Sequence, residues 1–174
     1  MEGLINFPLL ETERLLLRQL YDHDALAISA LRSDDAVNLY IDRPKHTSPE
    51  GALAFIAKIN SNIKEGNSFY WAVSLKGRAE LIGTVCLFNF SKEKTCAELG
   101  YELCTRLQGQ GIANEAVERV IAFAFETAGF KTLEACIHQN NLPSINLVFR
   151  NNFRQDVNRK EEHLTNYVFF ELNA

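Results

Sequence analysis

The chain has 174 residues, 47% apolar and 23% charged, the length and balance of one globular domain spanning 1–174, which excludes disordered and fibrous classes. Eighteen Lys and Arg stand against 22 Asp and Glu, a net charge of −4. Nucleic-acid binders carry a basic excess, so no direct nucleic-acid contact is expected, while a mildly acidic surface favours encounter with a basic partner.

No apolar run reaches the ~18–20 residues of a membrane span. The opening Met1-Glu2-Gly3-Leu4 lacks the basic and apolar regions of a secretory signal, so the expectation is a cytoplasmic protein away from membranes. Arg14 to Arg18 is the first strand candidate. Asp22 then reads as the cap of a helix carrying Ala25, Leu26, Ile28, Ala30 and Leu31. A second helix starts at Ser48-Pro49, with a stripe of Ala52, Phe55, Ile56, Ile59 and Ile63 ending before Gly66-Asn67. Phe69 to Leu75 alternates with period two, Lys76-Gly77 turns, and Leu81 to Phe90 returns. After Ser91 to Lys94, Thr95 to Cys104 makes a third strand, so short turns predict an antiparallel meander.

The period then becomes helical. Ile112, Ala116, Val120 and Ala124 fall four apart in a long amphipathic helix that stops near Ala128-Gly129. Thr132 to His138 reads as a strand, Pro143 to Asn151 as a short helix and Tyr167 to Leu172 as the last strand. The class is α+β, with one parallel crossover joined to a meander. Cys86, Cys96, Cys104 and Cys136 show no metal spacing and read as apolar filler on strands. No two histidines have ligand spacing either, so no metal is expected. His23 and His46 read as surface residues, and His138 as one that touches substrate or nothing.

The informative stretch is Arg106-Leu107-Gln108-Gly109-Gln110-Gly111-Ile112-Ala113. Two glycines between a strand end and a helix start let a bulky anion approach amides that have no internal partner. A P-loop is excluded because no lysine follows Gly111. A dinucleotide fingerprint would need its third glycine at Asn114 and would open a run of parallel units.

Arg106 to Gly111, an Arg-x-x-Gly-x-Gly pattern, resembles the acyl-CoA pyrophosphate loop of the GNAT acetyltransferases. Glu11 to Arg18, Trp71 to Val73, Leu81 to Thr84, Ala97 to Tyr101, Gly111 to Ala116, and Asn141 to Ile145 followed by Asn152-Phe153 extend the likeness over roughly residues 9 to 172. The branch it is most similar to is the ribosomal-protein serine/alanine N-terminal acetyltransferases. The resemblance implies a twisted mixed sheet, mostly antiparallel and flanked by helices, in which two parallel strands splay apart to admit acetyl-CoA. It implies that Leu103 and Cys104 offer main-chain groups to the pantetheine arm. Gln108, Gly109, Gln110, Gly111, Ile112 and Ala113 would surround the pyrophosphate, assisted by Arg106, with Asn141 and Ser144 beside the thioester. Arg150, Arg154, Arg159 and Lys160 would reach the 3′-phosphate or form a solvated face.

The reaction so implied is direct acetyl transfer to a primary amine, above all the N-terminal α-amine of a basic ribosomal protein. An α-amine with pKa ~7.7–8.0 is roughly 10–17% neutral at pH 7, so a carboxylate acting through water suffices as base. Glu98 is the candidate catalytic base, with Glu102 on the same face in reserve. Many relatives place a tyrosine on the last helix; here that position is Val148, followed by Phe149. Proton return to the thiolate then falls to Ser144, or to water held with Asn141; Ser144 also reads as a helix cap. Asn152 stands where the family usually has glycine, and asparagine tolerates the left-handed backbone required. The loop 34–48 and the helices around it would shape the acceptor pocket. A polyamine or aminoglycoside acetyltransferase, or a sensor that binds acyl-CoA without catalysis, are the alternatives; monomer and homodimer are both open.

Overall fold

The computed structural model describes residues 7–43 and 48–174. Strands β1 (Leu10–Glu11) and β2 (Leu15–Arg18) precede helices α1 (Ala25–Ser33) and α2 (Pro49–Lys64). Then come β3 (Phe69–Leu75), β4 (Leu81–Phe88), β5 (Cys96–Leu103), α3 (Ile112–Glu126), β6 (Thr132–His138), α4 (Leu142–Arg150), β7 (Arg154–Gln155) and β8 (Tyr167–Asn173). The strands form one eight-stranded sheet in the order β1-β2-β3-β4-β5-β6-β8-β7. All pairs are antiparallel except β5 with β6, because α3 supplies the long crossover a parallel pair requires.

The sheet is covered on both faces. Trp71, Val73, Val85, Leu99, Val117 and Val120 pack in the core beneath α3, whereas Ile28, Ile56, Tyr70 and Ala72 pack beneath α1 and α2. The alternation of β3 therefore separates two cores rather than core from solvent, and each full burial of such a side chain stabilises by ~1.5–3 kcal/mol.

Two local expectations are corrected. Asp22 does not cap α1: Asp22–Asp24 forms a short 3-10 turn. The carboxylate of Asp24 instead meets the Arg18 guanidinium at 2.8 Å through both oxygens and accepts the Tyr21 amide at 2.9 Å. This buried pair fastens α1 to the end of β2. The last helix is capped by Asn141, whose Oδ1 accepts from the Ser144 amide at 3.3 Å, so Ser144 is not its cap. Ser48 does cap α2, accepting from the Gly51 amide at 3.1 Å with Pro49 at the first position. Asn152 takes φ +63, the left-handed turn expected there.

The parallel pair opens. β5 and β6 are in register only at Cys96–Thr132, Ala97–Leu133 and Glu98–Glu134. Beyond that, β5 continues to Leu103 and β6 to His138 without meeting, leaving a wedge at the sheet's centre.

Candidate active site

A cavity of about 840 Å³ fills the wedge. Register builds its floor: Thr84 opposes Glu102, Cys86 opposes Gly100 and Phe88 opposes Glu98, so Glu98, Gly100 and Glu102 share one face. Gly100 keeps the space between the carboxylates open, and even a Cβ there would crowd the Cys86 sulfur at 2.9 Å. Arg32, Phe55 and Arg43 roof it; Cys136, His138, Asn141 and Ser144 line the far side.

The two carboxylates differ. Glu98 accepts one hydrogen bond, from Asn89 Nδ2 at 2.9 Å, and burial pushes its carboxyl above the ordinary range against that bond. The left-handed Asn89, at φ +49, ends β4 earlier than expected and turns its amide toward Glu98. Glu102 lies 2.5 Å from the Arg43 guanidinium and accepts from the Thr84 hydroxyl, which in turn accepts from Tyr70. Asn38 accepts from Arg43 Nε at 2.7 Å while donating to the carbonyls of Leu31 and Asp34, so the loop after α1 sets where Arg43 points.

The glycine loop lies between the end of β5 and the start of α3. Gly109 and Gly111 take φ +73 and +76, and the space beside Gly109 is open. Gly111 precedes α3 with no side-chain cap, so the first amides and the positive end of the helix dipole are offered outward. The loop is clamped from outside: Arg14 donates to the Gln110 carbonyl at 3.1 Å and to Glu115 at 2.6 Å, and Glu115 also accepts from Thr12 and from the Arg14 amide. Partial burial raises the Glu115 carboxyl, and those hydrogen bonds together outweigh it, leaving it below the ordinary range. These features fit a diphosphate ester: a backbone cradle, unfilled helix amides and a negative side chain turned away.

Other sequence candidates land unevenly. The Gln108 side chain donates to the Leu103 carbonyl at 2.9 Å, and the Cys104 amide is committed to Ile82; an incoming strand-like ligand has the second lone pair of Leu103 to use. Ile112 is buried behind the loop and Ala113 follows it at the start of α3. Arg106 pairs with Glu80 at 2.7 Å on the surface, and Gln110 donates to the Arg106 carbonyl. Arg159 is held by Glu134 and Glu161 at 2.7 and 2.8 Å, while Arg150, Arg154 and Lys160 are exposed.

His138 lines the cavity, stacked on Tyr40 and edge-on to Tyr167. His23 is exposed beside Tyr21, and His46 lies outside the described residues. All four cysteines are free; burial pushes the thiols of Cys86 and Cys136 up to about 12 and 11, which makes both poor nucleophiles. Val148 is buried and Phe149 packs edge-on to Phe170, so neither substitutes for a phenol.

Sequence reasoning assigned no role to Tyr101, Arg32 and Arg43. Tyr101 donates to the Ser144 carbonyl at 3.2 Å, with burial pushing its hydroxyl up to about 12. Alternation puts it on the face away from Glu98, and only the splay lets both faces reach the cavity. For Arg32 a signal existed: it follows Ile28 by four residues, a charge on the buried stripe of α1.

The parallel pair parts after Glu98, a glycine loop follows the end of β5, and a half-buried carboxylate stands in the wedge. The sequence model of a family described as "Acetyltransferase (GNAT) domain" matches residues 14–154, and the chain belongs to that family. An uncharacterized N-acetyltransferase of Bacillus subtilis, YoaA, is 31% identical over 150 residues, covering 86% of this chain and 85% of that one. The [ribosomal protein uS5]-alanine N-acetyltransferase of Escherichia coli is 27% identical over 152 residues, covering 84% and 78%. Among solved structures, a putative ribosomal-protein-serine acetyltransferase from Vibrio cholerae superposes with a TM-score of 0.82 at 25% identity, over 96% of this chain and 98% of that one. GNAT enzymes take acetyl-CoA and an amine acceptor, and this chain is an acetyltransferase of that kind. Among the described residues no cluster of His, Cys, Asp or Glu is placed to hold a metal ion, and no helix is long and apolar enough to cross a membrane.

Proposed function

We propose that residues 1–174 act as one cytoplasmic N-acetyltransferase domain that modifies the N-terminal α-amine of a protein, a ribosomal protein being the class suggested by its named relatives. The observation that carries this reading is Glu98, a carboxylate that forms no ion pair among the described residues, facing the wedge where a donor arm would enter. The amides from Gly109 to Ala113 would hold the pyrophosphate, and β5 beyond Glu98 would pair with the pantetheine arm as an added strand. When bound, acetyl-CoA supplies an activated acyl thioester. Glu98 takes the amine proton through water, in keeping with the modest basicity an α-amine demands. The Ser144 hydroxyl, which makes no hydrogen bond among the described residues, would relay a proton from water to the departing thiolate and regain its own from that water, and Tyr101 would fix the turn of α4 on which it sits.

The test mixes the protein with acetyl-CoA and peptides beginning with Ser or Ala and follows free thiol. Saturable release with peptides is expected. Binding of coenzyme A with no thiol released for any amine would make the protein a sensor. Release with polyamines alone would move the acceptor to small molecules.

A further inference from the structure

The described residues lining the cavity carry three cations, Arg32, Arg43 and Lys58, against two carboxylates, Glu98 and Glu102. Glu102 is spent on Arg43 and Thr84, and Glu98 lies four residues away along the strand. Arg32 is left over. It is only 8% exposed, it takes part in none of the ion pairs among the described residues, and its Nε is buried without a hydrogen-bond partner. Its guanidinium lies 4.1 Å from the centroid of Phe55, which fixes the group against the roof of the cavity. A guanidinium cannot shed its proton at physiological pH, and a buried charge without a counterion costs several kcal/mol.

We infer that the acceptor brings the missing counterion: it carries a carboxylate close to its reactive amine, and Arg32 binds that carboxylate. This rests on the peptide reading above and deepens it, since on an N-terminal peptide the group is an acidic side chain at the second or third position. Arg43, held near Glu102, shapes the same end of the cavity, and Lys58 adds an exposed cation on α2. The inference runs against the basic partner that the net charge of −4 suggests. The whole surface sets encounter, but the lining of the cavity sets fit.

The experiment is calorimetry on protein saturated with coenzyme A, using the amides of Ser-Glu-Ala-Ala, Ser-Gln-Ala-Ala and Ser-Lys-Ala-Ala, with free serine as a fourth probe. The Glu peptide is expected to bind about tenfold tighter than the Gln peptide, the scale of one charge-assisted hydrogen bond, and the Lys peptide weakest. Arg32→Met should bring Glu and Gln peptides together, and Arg32→Lys should retain part of the difference. Equal binding of Glu and Gln peptides by the unaltered protein, or none of either, overturns the inference whether or not the variants fold. Arg32-dependent binding of free serine alone keeps the carboxylate site and overturns the peptide as its source. Tight binding of the Glu peptide here, with no thiol released from it when acetyl-CoA replaces coenzyme A, leaves the carboxylate site standing while the acceptor reading fails.

Discussion

Glu98 and Glu102 sit on one face of one strand with three residues between them, yet the fold gives them opposite surroundings. Glu98 has a single amide donor and a site dry enough to raise its pKa. Glu102 is boxed by a guanidinium and a hydroxyl relay. A carboxylate that moves protons has to release them near working pH, and one locked to a guanidinium serves better to hold a charged loop in place. Along β5 the cavity therefore has one end with a half-buried carboxylate that forms no ion pair among the described residues and one end where a carboxylate is paired with a guanidinium.

The largest effect expected from breaking this contrast is in Glu98→Gln, which should lower kcat for thiol release ~10²–10⁴-fold and shift activity to higher pH. Its stability should move the other way. The folded carboxyl keeps its proton to higher pH than the unfolded one, so the unaltered protein loses stability as pH rises from the ordinary carboxylate range through the raised value. Above that window the variant should melt at the same temperature or higher, and a lower melting point would mark Glu98 as structural. Glu102→Gln should instead cost about 3–5 kcal/mol in denaturant unfolding, because the Arg43 guanidinium then loses its carboxylate. Adding Arg43→Met should recover much of that loss.

Smaller changes sharpen the picture at the edges. Glu115→Gln releases the clamp on the glycine loop, costing about 1 kcal/mol, and should raise KM for acetyl-CoA more than it changes kcat. Glu115 lies below the ordinary carboxylate range in the fold, so its contribution is present above the unfolded pKa and is lost as pH falls through the folded one. Asn89→Ala should have the least effect: the one hydrogen bond that Glu98 accepts among the described residues disappears, and the acid limb of the pH–rate profile moves upward.

How much could be read beforehand follows the range of the forces involved. The meander, the α3 stripe and the glycine loop depend on period and local backbone freedom, and the strand order follows from short turns and one crossover. The position of Glu98 on β5 was legible because it falls in a short motif on a strand. Arg32 and Arg43 were not: one belongs to a helix and the other to an irregular loop, and what matters about them is which carboxylate each can reach. Asn38, Thr84 and Tyr70 are ordinary polar residues until the sheet and the loop are assembled around Glu102.

The amino-acid order by itself determined the class of sheet, the left-handed turns at Gly109 and Gly111 and the family, since each is written in neighbouring residues whose geometry is local. Only the tertiary structure decided that β5 and β6 part after Glu98 and that one of two similar carboxylates is neutralised while one guanidinium is not. Charge pairing is a matter of distances between elements far apart in the chain, and burial sets what an unpaired charge costs.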